Sequence, residues 1–212
     1  MKTTTKIIIG IILGAWILTF IGFGIKVDNQ STNNDDIISI IEQNNNSTLI
    51  TLKENNTKTI IFDCENPDRS ISNKIVIARA IEPSHISLPD VLKDYYQISQ
   101  SNDTLLLHTA SLHDLDYNIR DALNNKTIYI NLNNEQTVSI NNNANVSISL
   151  YNLSLKNLTI TQRYSYIKTH LNKCDIKHLT LNGATADIFD SNIKNYSFPQ
   201  KDHWTLFAKD LK

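Results

Sequence analysis

The chain is poor in the residues that usually punctuate a fold. It has 2 cysteines, 4 prolines and 5 glycines in 212 residues, and the glycines crowd into residues 10–24, leaving Gly183 alone in the remainder. A dense disulfide framework is therefore excluded. Turns after residue 24 must be built from Asn, Asp and Ser. Charge is scarce as well: charged residues make up 19%, with Lys+Arg 20 against Asp+Glu 21. That balance removes any general electrostatic case for nucleic acid or an acidic substrate. With 41% hydrophobic residues the length suits one domain rather than two.

What the chain has in excess is asparagine, about one residue in eight, in runs such as Asn44-Asn45-Asn46 and Asn141-Asn142-Asn143. An AT-rich genome inflates Asn, Ile and Lys together and accounts for part of this. Asn also tolerates left-handed backbone at tight corners and stacks with itself in ladders, so a structural cause is open beside the genomic one.

Residues 7–25 form an uncharged apolar run whose helical length approaches a hydrocarbon core. Lys2 and Lys6 precede it, and Asp28, Asp35 and Asp36 follow Lys26, a bias that predicts a cytoplasmic N-terminus. The expectation is a single-pass membrane protein with its main domain periplasmic or extracellular: a tail over 1–6, an anchor over 7–25, a polar linker over 26–36 and an exported domain over 37–212. Gly22-Phe23-Gly24 offers a signal-peptidase site, so a cleaved signal peptide is the alternative. Gly10 and Gly14 match a small-xxx-small packing motif that arises easily by chance.

Beyond the linker, strand patterns dominate. Residues 48–53 and 58–62 flank an Asn-containing turn and predict a pair of strands joined there. Residues 75–80, 96–99 and 104–108 continue the β reading. A helical turn is expected after Pro89, and a helix over 112–123, where Leu112, Leu115, Ile119 and Leu123 share a face.

The clearest order lies over 127–198. Leu155-Lys156-Asn157-Leu158-Thr159-Ile160, Ile176-Lys177-His178-Leu179-Thr180-Leu181 and Ile193-Lys194-Asn195-Tyr196-Ser197-Phe198 share one pattern, and their starts are 21 and 17 residues apart. In each, apolar alternation slips by one residue across the Lys-(Asn/His) pair. If that pair is a corner, the strands on either side turn their apolar residues to a common interior. The fold class this predicts is mainly β, a right-handed β-helix or solenoid with a strand-rich N-terminal part and an N-terminal transmembrane helix. Residues 199–212, with Trp204, Leu206 and Phe207, suit a cap over the last coil.

These repeats, together with Asn102-Asp103-Thr104-Leu105-Leu106-Leu107, resemble the autotransporter-adhesin head domain, or head GIN domain, of bacterial envelope proteins. The resemblance implies an exported β-helix without an established catalytic set. The near absence of glycine departs from that family's repeats, and only Gly183-Ala184 is similar to them.

The candidate chemical groups have ordinary structural readings. His170, Cys174 and His178 are four apart, which aligns metal ligands on a helix but not on strands. His108, His113, Asp114 and Asp116 form a polar cluster that suits a helix start, with Ser111 as N-cap. Cys64 and Cys174 alternate with inward apolar residues, which sets them apart instead of pairing them. The triplets Asn152-Leu153-Ser154 and Asn157-Leu158-Thr159 match glycosylation acceptors and receive no function. No catalytic residue, metal or cofactor is expected.

The reading is a non-enzymatic, membrane-anchored cell-envelope protein with an adhesin-like binding domain. Its partners would be the lipid bilayer through residues 7–25 and a glycan, surface polymer or envelope protein, with no nucleic acid. Tyr151, Tyr164 and Tyr166 are the candidate binding strip, with Tyr95 and Tyr96 as further exposed-ring candidates. The alternatives are a signalling or envelope-stress accessory acting through the anchor, and a polysaccharide-cleaving enzyme. The latter would need repeated acidic clusters that the chain lacks.

Overall fold

The computed structural model describes residues 34–53, 57–66, 71–80, 83–110, 115–133, 137–198 and 207–209. The chain divides into two compact units, Met1–Gln43 and Asn44–Lys212. In the first, a helix α1 spans 34–43. It takes in the last residues of the expected linker, 34–36, and the apolar run 37–41.

The second unit consists of two mixed sheets in a β-sandwich-like arrangement. Its strands are β1 Ser47–Thr51, β2 Thr59–Cys64, β3 Lys74–Arg79, β4 His85–Pro89, β5 Tyr96–Ser101, β6 Thr104–Thr109, β7 Thr127–Leu132, β8 Thr137–Asn142, β9 Ser147–Tyr151, β10 Ser154–Gln162, β11 Lys168–Asn172, β12 Asp175–Asn182, β13 Thr185–Phe189, β14 Asn192–Ser197 and β15 Phe207–Lys209. The eight-stranded sheet runs β1-β4-β7-β3-β9-β11-β13-β15, and the seven-stranded sheet β14-β12-β10-β8-β2-β6-β5. A 3₁₀ turn, Asp90–Tyr95, follows Pro89 where a helical turn is expected.

This corrects the expected right-handed β-helix. Strand order in the sheets is not chain order: β3 stands between β7 and β9, and β2 between β8 and β6. β4 is antiparallel to both β1 and β7, and β5 is antiparallel to β6. The repeats mislead because they report only local neighbours, and the insertion of β2 and β3 from far upstream leaves no mark in them. The expected pair of strands around residues 54–57 fails for a related reason, since β1 and β2 belong to different sheets.

The membrane expectation is corrected too. Among the described residues no helix is long and apolar enough to cross a membrane. The run 7–25 and most of the cap, 199–206 and 210–212, lie outside the described residues, so the structure lends no support to a single-pass protein anchored through 7–25.

The repeated segments lie side by side in parallel register. Leu155 pairs with Ile176 and Ile176 with Ile193; Leu158 pairs with Leu179 and Leu179 with Tyr196. Leu155 and Leu158 are both buried, with Lys156 exposed between them. The Lys-Asn pair is nonetheless not a corner. It sits inside one continuous strand, β10, as a local bend that places two successive residues outward. The same bend in β12 keeps the strands nested.

The turns that carry the chain from one sheet to the other fall just after β9, β11 and β13, at Asn152, Lys173 and Asp190. Their φ values of 54°, 55° and 47° lie in the left-handed region. Gly183, at φ 62°, turns the chain between β12 and β13. Asn102 and Asn152 are the asparagines at such corners. The structural use of Asn is real but narrow, because Lys and Asp fill equivalent places.

The core lies between the sheets. Ile75, Ile77, Ile128, Ile130, Ile148 and Leu150 face inward from one sheet, and Ile60, Phe62, Leu105, Ile140, Leu158 and Ile160 from the other, all at 0 or 1% exposure. Each such side chain contributes about 1.5–3 kcal/mol by leaving water. Tyr196, expected inward, is 55% exposed on the outermost strand of its sheet.

Helix α2 spans Tyr117–Asn124, shorter than expected, because Asp116 is its N-cap and accepts a hydrogen bond from the Asn118 N–H at 2.8 Å. Ile119 and Leu123 are buried, while Ser111, Leu112, His113 and Asp114 lie outside the described residues. Buried Asn73 ties the end of α2 to β3 by donating to the carbonyls of Leu123 and Lys126 at 2.7 and 2.8 Å.

Candidate functional site

Alternation decides what each sheet shows to solvent. On the eight-stranded sheet, one outward row reads Tyr129, Val76, Ser149, His170 and Asp187 across β7, β3, β9, β11 and β13. The next reads Asn131, Ala78, Tyr151, Asn172 and Phe189 across the same strands. Tyr151 and Phe189 stand on either side of Asn172, 42% and 39% exposed. They rim an open hollow of about 430 Å³ whose lining includes Val76, Ser149, His170 and Asn172.

The polar groups around this hollow are held in place. Lys173, at the left-handed corner after β11, sets its Nζ 5.6 Å from the centre of the Tyr151 ring and donates to its hydroxyl at 3.4 Å. Asp187, with a side chain only 12% exposed, takes Lys168 Nζ at 3.4 Å and faces His170 Nδ1 at 3.6 Å through the same oxygen, Oδ2. Asn172 Oδ1 and Asp187 Oδ1 accept no hydrogen bond.

Ser149, His170 and Asp187 stand side by side on three adjacent strands, the residue types of a hydrolytic triad. Acyl transfer also needs hydrogen-bond donors aimed at the developing oxyanion. The N–H groups of paired strands point along the sheet to their neighbours, not out of its face. Asp187 shares its oxygen between Lys168 and His170, at a distance beyond a firm hydrogen bond to the ring. The row can hold a polar ligand but lacks the donors for cleavage.

The expected strip is only partly assembled. Tyr164 and Tyr166 pack together with ring centroids 5.7 Å apart, and Arg163 lies over the Tyr164 ring at 5.6 Å. They occupy the loop before β11, whereas Tyr151 neighbours Asn172 at the far end of that strand. About 13 Å of strand separates the two positions. Tyr95 ends the 3₁₀ turn, half-buried. Tyr96 is an interior residue: it is 7% exposed, its hydroxyl donates to Asn73 Oδ1 at 3.0 Å, and burial raises its pKa well above the usual phenol value.

Phe189 is the residue that sequence reasoning missed. The signal was present: Tyr151, Asn172 and Phe189 are 21 and 17 residues apart, the spacing of the repeats themselves.

The other polar candidates disperse. His170 and His178 belong to different sheets, with buried Cys174 between them in the chain. Burial pushes the Cys174 thiol above its ordinary pKa, which keeps it protonated and unreactive. Cys64 and Cys174 form no disulfide. His108 pairs with Asp63 on the neighbouring strand at 3.2 Å. Among the described residues no group of three or more His, Cys, Asp or Glu is placed to hold a metal ion.

No family model matches this chain, the head GIN domain included, and no curated protein matches it. Distant structural similarity exists to a candidate lipid binding protein from Parabacteroides distasonis, at 12% identity and TM-score 0.30, covering 78% of this chain and 95% of that one. A candidate cell adhesion protein from Clostridium sporogenes gives 12% identity and TM-score 0.30, covering 77% of this chain and 99% of that one. A candidate adhesin from Parabacteroides merdae gives 10% identity and TM-score 0.28, covering 77% and 92%. Resemblances this distant define no family for the chain and assign it no ligand.

Proposed function

We propose that this protein is a non-enzymatic, adhesin-like binding domain that takes a glycan on the outer face of its eight-stranded sheet. The observation that carries this reading is the pair of exposed rings, Tyr151 and Phe189, rimming a hollow lined with hydroxyl, amide and imidazole groups. Sugars present both apolar C–H faces and hydroxyls. A site that binds them needs rings to stack on and convergent donors and acceptors to orient them, which is the composition here. Lys173 holds the Tyr151 ring from one side, so less side-chain freedom is lost on binding.

A glycan array probed with the full chain should give a defined set of ligands. Titration calorimetry should then show Tyr151→Ala and Phe189→Ala each weakening binding by about tenfold, roughly one lost stacking contact. Undiminished binding by both variants would sink the assignment.

A further inference from the structure

The outer face that carries Tyr151 and Phe189 has a second hollow. It measures about 300 Å³ and is lined by Asn44, Asn45, Asn46, Asn125, Lys126 and Tyr129, among others. Its asparagine loop is fixed: the Asn46 N–H donates to Asn44 Oδ1 at 3.0 Å, Lys126 Nζ donates to the Asn44 carbonyl at 3.0 Å, and the Asp90 N–H donates to the Asn46 carbonyl at 3.0 Å. Tyr129 is 47% exposed. A ring beside several amides repeats the chemistry of the first hollow.

The two hollows are connected over a low floor. Between Tyr129 on β7 and Tyr151 on β9 lies β3, whose outward residues are Val76 and Ala78, and the neighbouring outward residues on β9 are Ser147 and Ser149. Bulky rings at the ends with small side chains between them make a trough that crosses the strands. From β7 to β13 it covers four strand spacings, about 19 Å at ~4.8 Å each. One sugar ring fills one hollow; only a chain reaches both.

The charge on this face is one-sided. Lys74 and Lys168 line one side of the trough, Lys173 the other, and Lys126 its Asn-rich end. Asp187 is the only acidic residue in the outward rows of this sheet, and Lys168 already holds its carboxylate. Lys126 and Lys173 spend their recorded hydrogen bonds on neutral oxygens, which leaves their charge uncompensated. Among the described residues Lys74 has no ion-pair partner. The near-neutral total of the chain hides this local excess.

We infer that the ligand is an extended anionic polysaccharide lying across the strands, from the Phe189–Tyr151 hollow to the Tyr129–Asn46 hollow. The inference rests on the glycan reading above and adds two properties, length and negative charge. The rings and amides hold successive sugars, and the lysines meet acidic groups along the chain.

The test uses polygalacturonate and its trisaccharide as anionic probes and dextran as the neutral one, titrated into the full chain and into Tyr129→Ala, Lys74→Gln and Tyr151→Ala. Circular dichroism and thermal melting check that each variant is folded; Tyr129 and Lys74 are exposed, so two independent variants address the new part of the trough. Polygalacturonate should bind at least about tenfold more tightly than the trisaccharide or dextran, and more weakly as salt is raised. Tyr129→Ala should lower polymer affinity about tenfold, and Lys74→Gln by a few-fold, with trisaccharide binding unchanged in both. Equal affinity for polymer and trisaccharide, equal affinity for dextran, or no effect of either variant on the polymer would overturn the inference while leaving the glycan reading standing. Loss of no binding in Tyr151→Ala, or no binding of any glycan, would overturn both.

Discussion

The outer faces of the two sheets are built on the same alternation and differ in almost everything they present. Across the seven-stranded sheet, one outward row is made of hydroxyls alone, from Ser101 on β5 through Thr104, Thr59, Ser139, Thr159 and Thr180 to Ser197 on β14. The matching rows of the eight-stranded sheet mix rings, lysines, imidazole and small residues. Uniform side chains give an even surface. Unequal ones give hollows, and the two hollows described above lie on the uneven face. The backbone supplies the rows, and only the outward residues decide whether a row can bind.

The comparison can be broken most severely from inside. Leu158 is fully buried between the sheets, and Leu158→Ala should cost about 2–5 kcal/mol, read as a lower urea midpoint. Because both faces hang on the same core, glycan binding and the hydroxyl row should be lost together in this variant. A loss below about 1 kcal/mol would mean that the repeated register contributes little.

A sharper test separates the faces. Thr159→Ala and Thr180→Ala remove two members of the hydroxyl row and should leave glycan affinity unchanged within error, against the roughly tenfold loss expected for Tyr151→Ala. If the threonine variants lower affinity as much as the tyrosine variant, the binding face has been assigned to the wrong sheet.

The smallest expected effect lies at the edge of the eight-stranded sheet. Lys93 and Thr48 hydrogen-bond the Asp90 carboxylate at 3.0 and 2.8 Å and hold its pKa below the ordinary value of 3.8. A lowered folded-state pKa favours folding above the unfolded value, and that contribution disappears as the pH falls through the folded one. Asp90→Asn should therefore be slightly less stable than the parent at neutral pH and indistinguishable from it near pH ~2, as followed by thermal melts across pH. A difference that persists at the acid end would point to packing, not charge.

The sequence made parts of this fold legible for identifiable reasons. Leu155, Leu158, Ile176 and Leu179 announce their register because burial on both sides of a bend forces apolar residues into step. What that pattern could not show was that Lys156 and Asn157 bend a strand without ending it, since a bend and a corner expose the same two residues. Nor could it show β2 and β3 wedged among later strands, because pairing partners about 80 residues apart, such as Ile60 and Ile140, share no local signal. Tyr151 was visible as a candidate, while its separation from Tyr164 and Tyr166 followed from the length of β11. Tyr96 looked like its neighbours until packing enclosed it.

By itself, the order of residues determined the mainly β character, the alternation of inward and outward positions and the in-step packing of residues 154–197, since these depend on neighbours a few positions or one repeat away. Tertiary structure alone decided the strand order, the joining of Tyr151 with Phe189 and the gathering of lysines on one face of a nearly neutral chain. Those outcomes depend on which strands lie side by side, and backbone hydrogen bonds pair almost any two strands alike, so the choice belongs to the packing of the whole core.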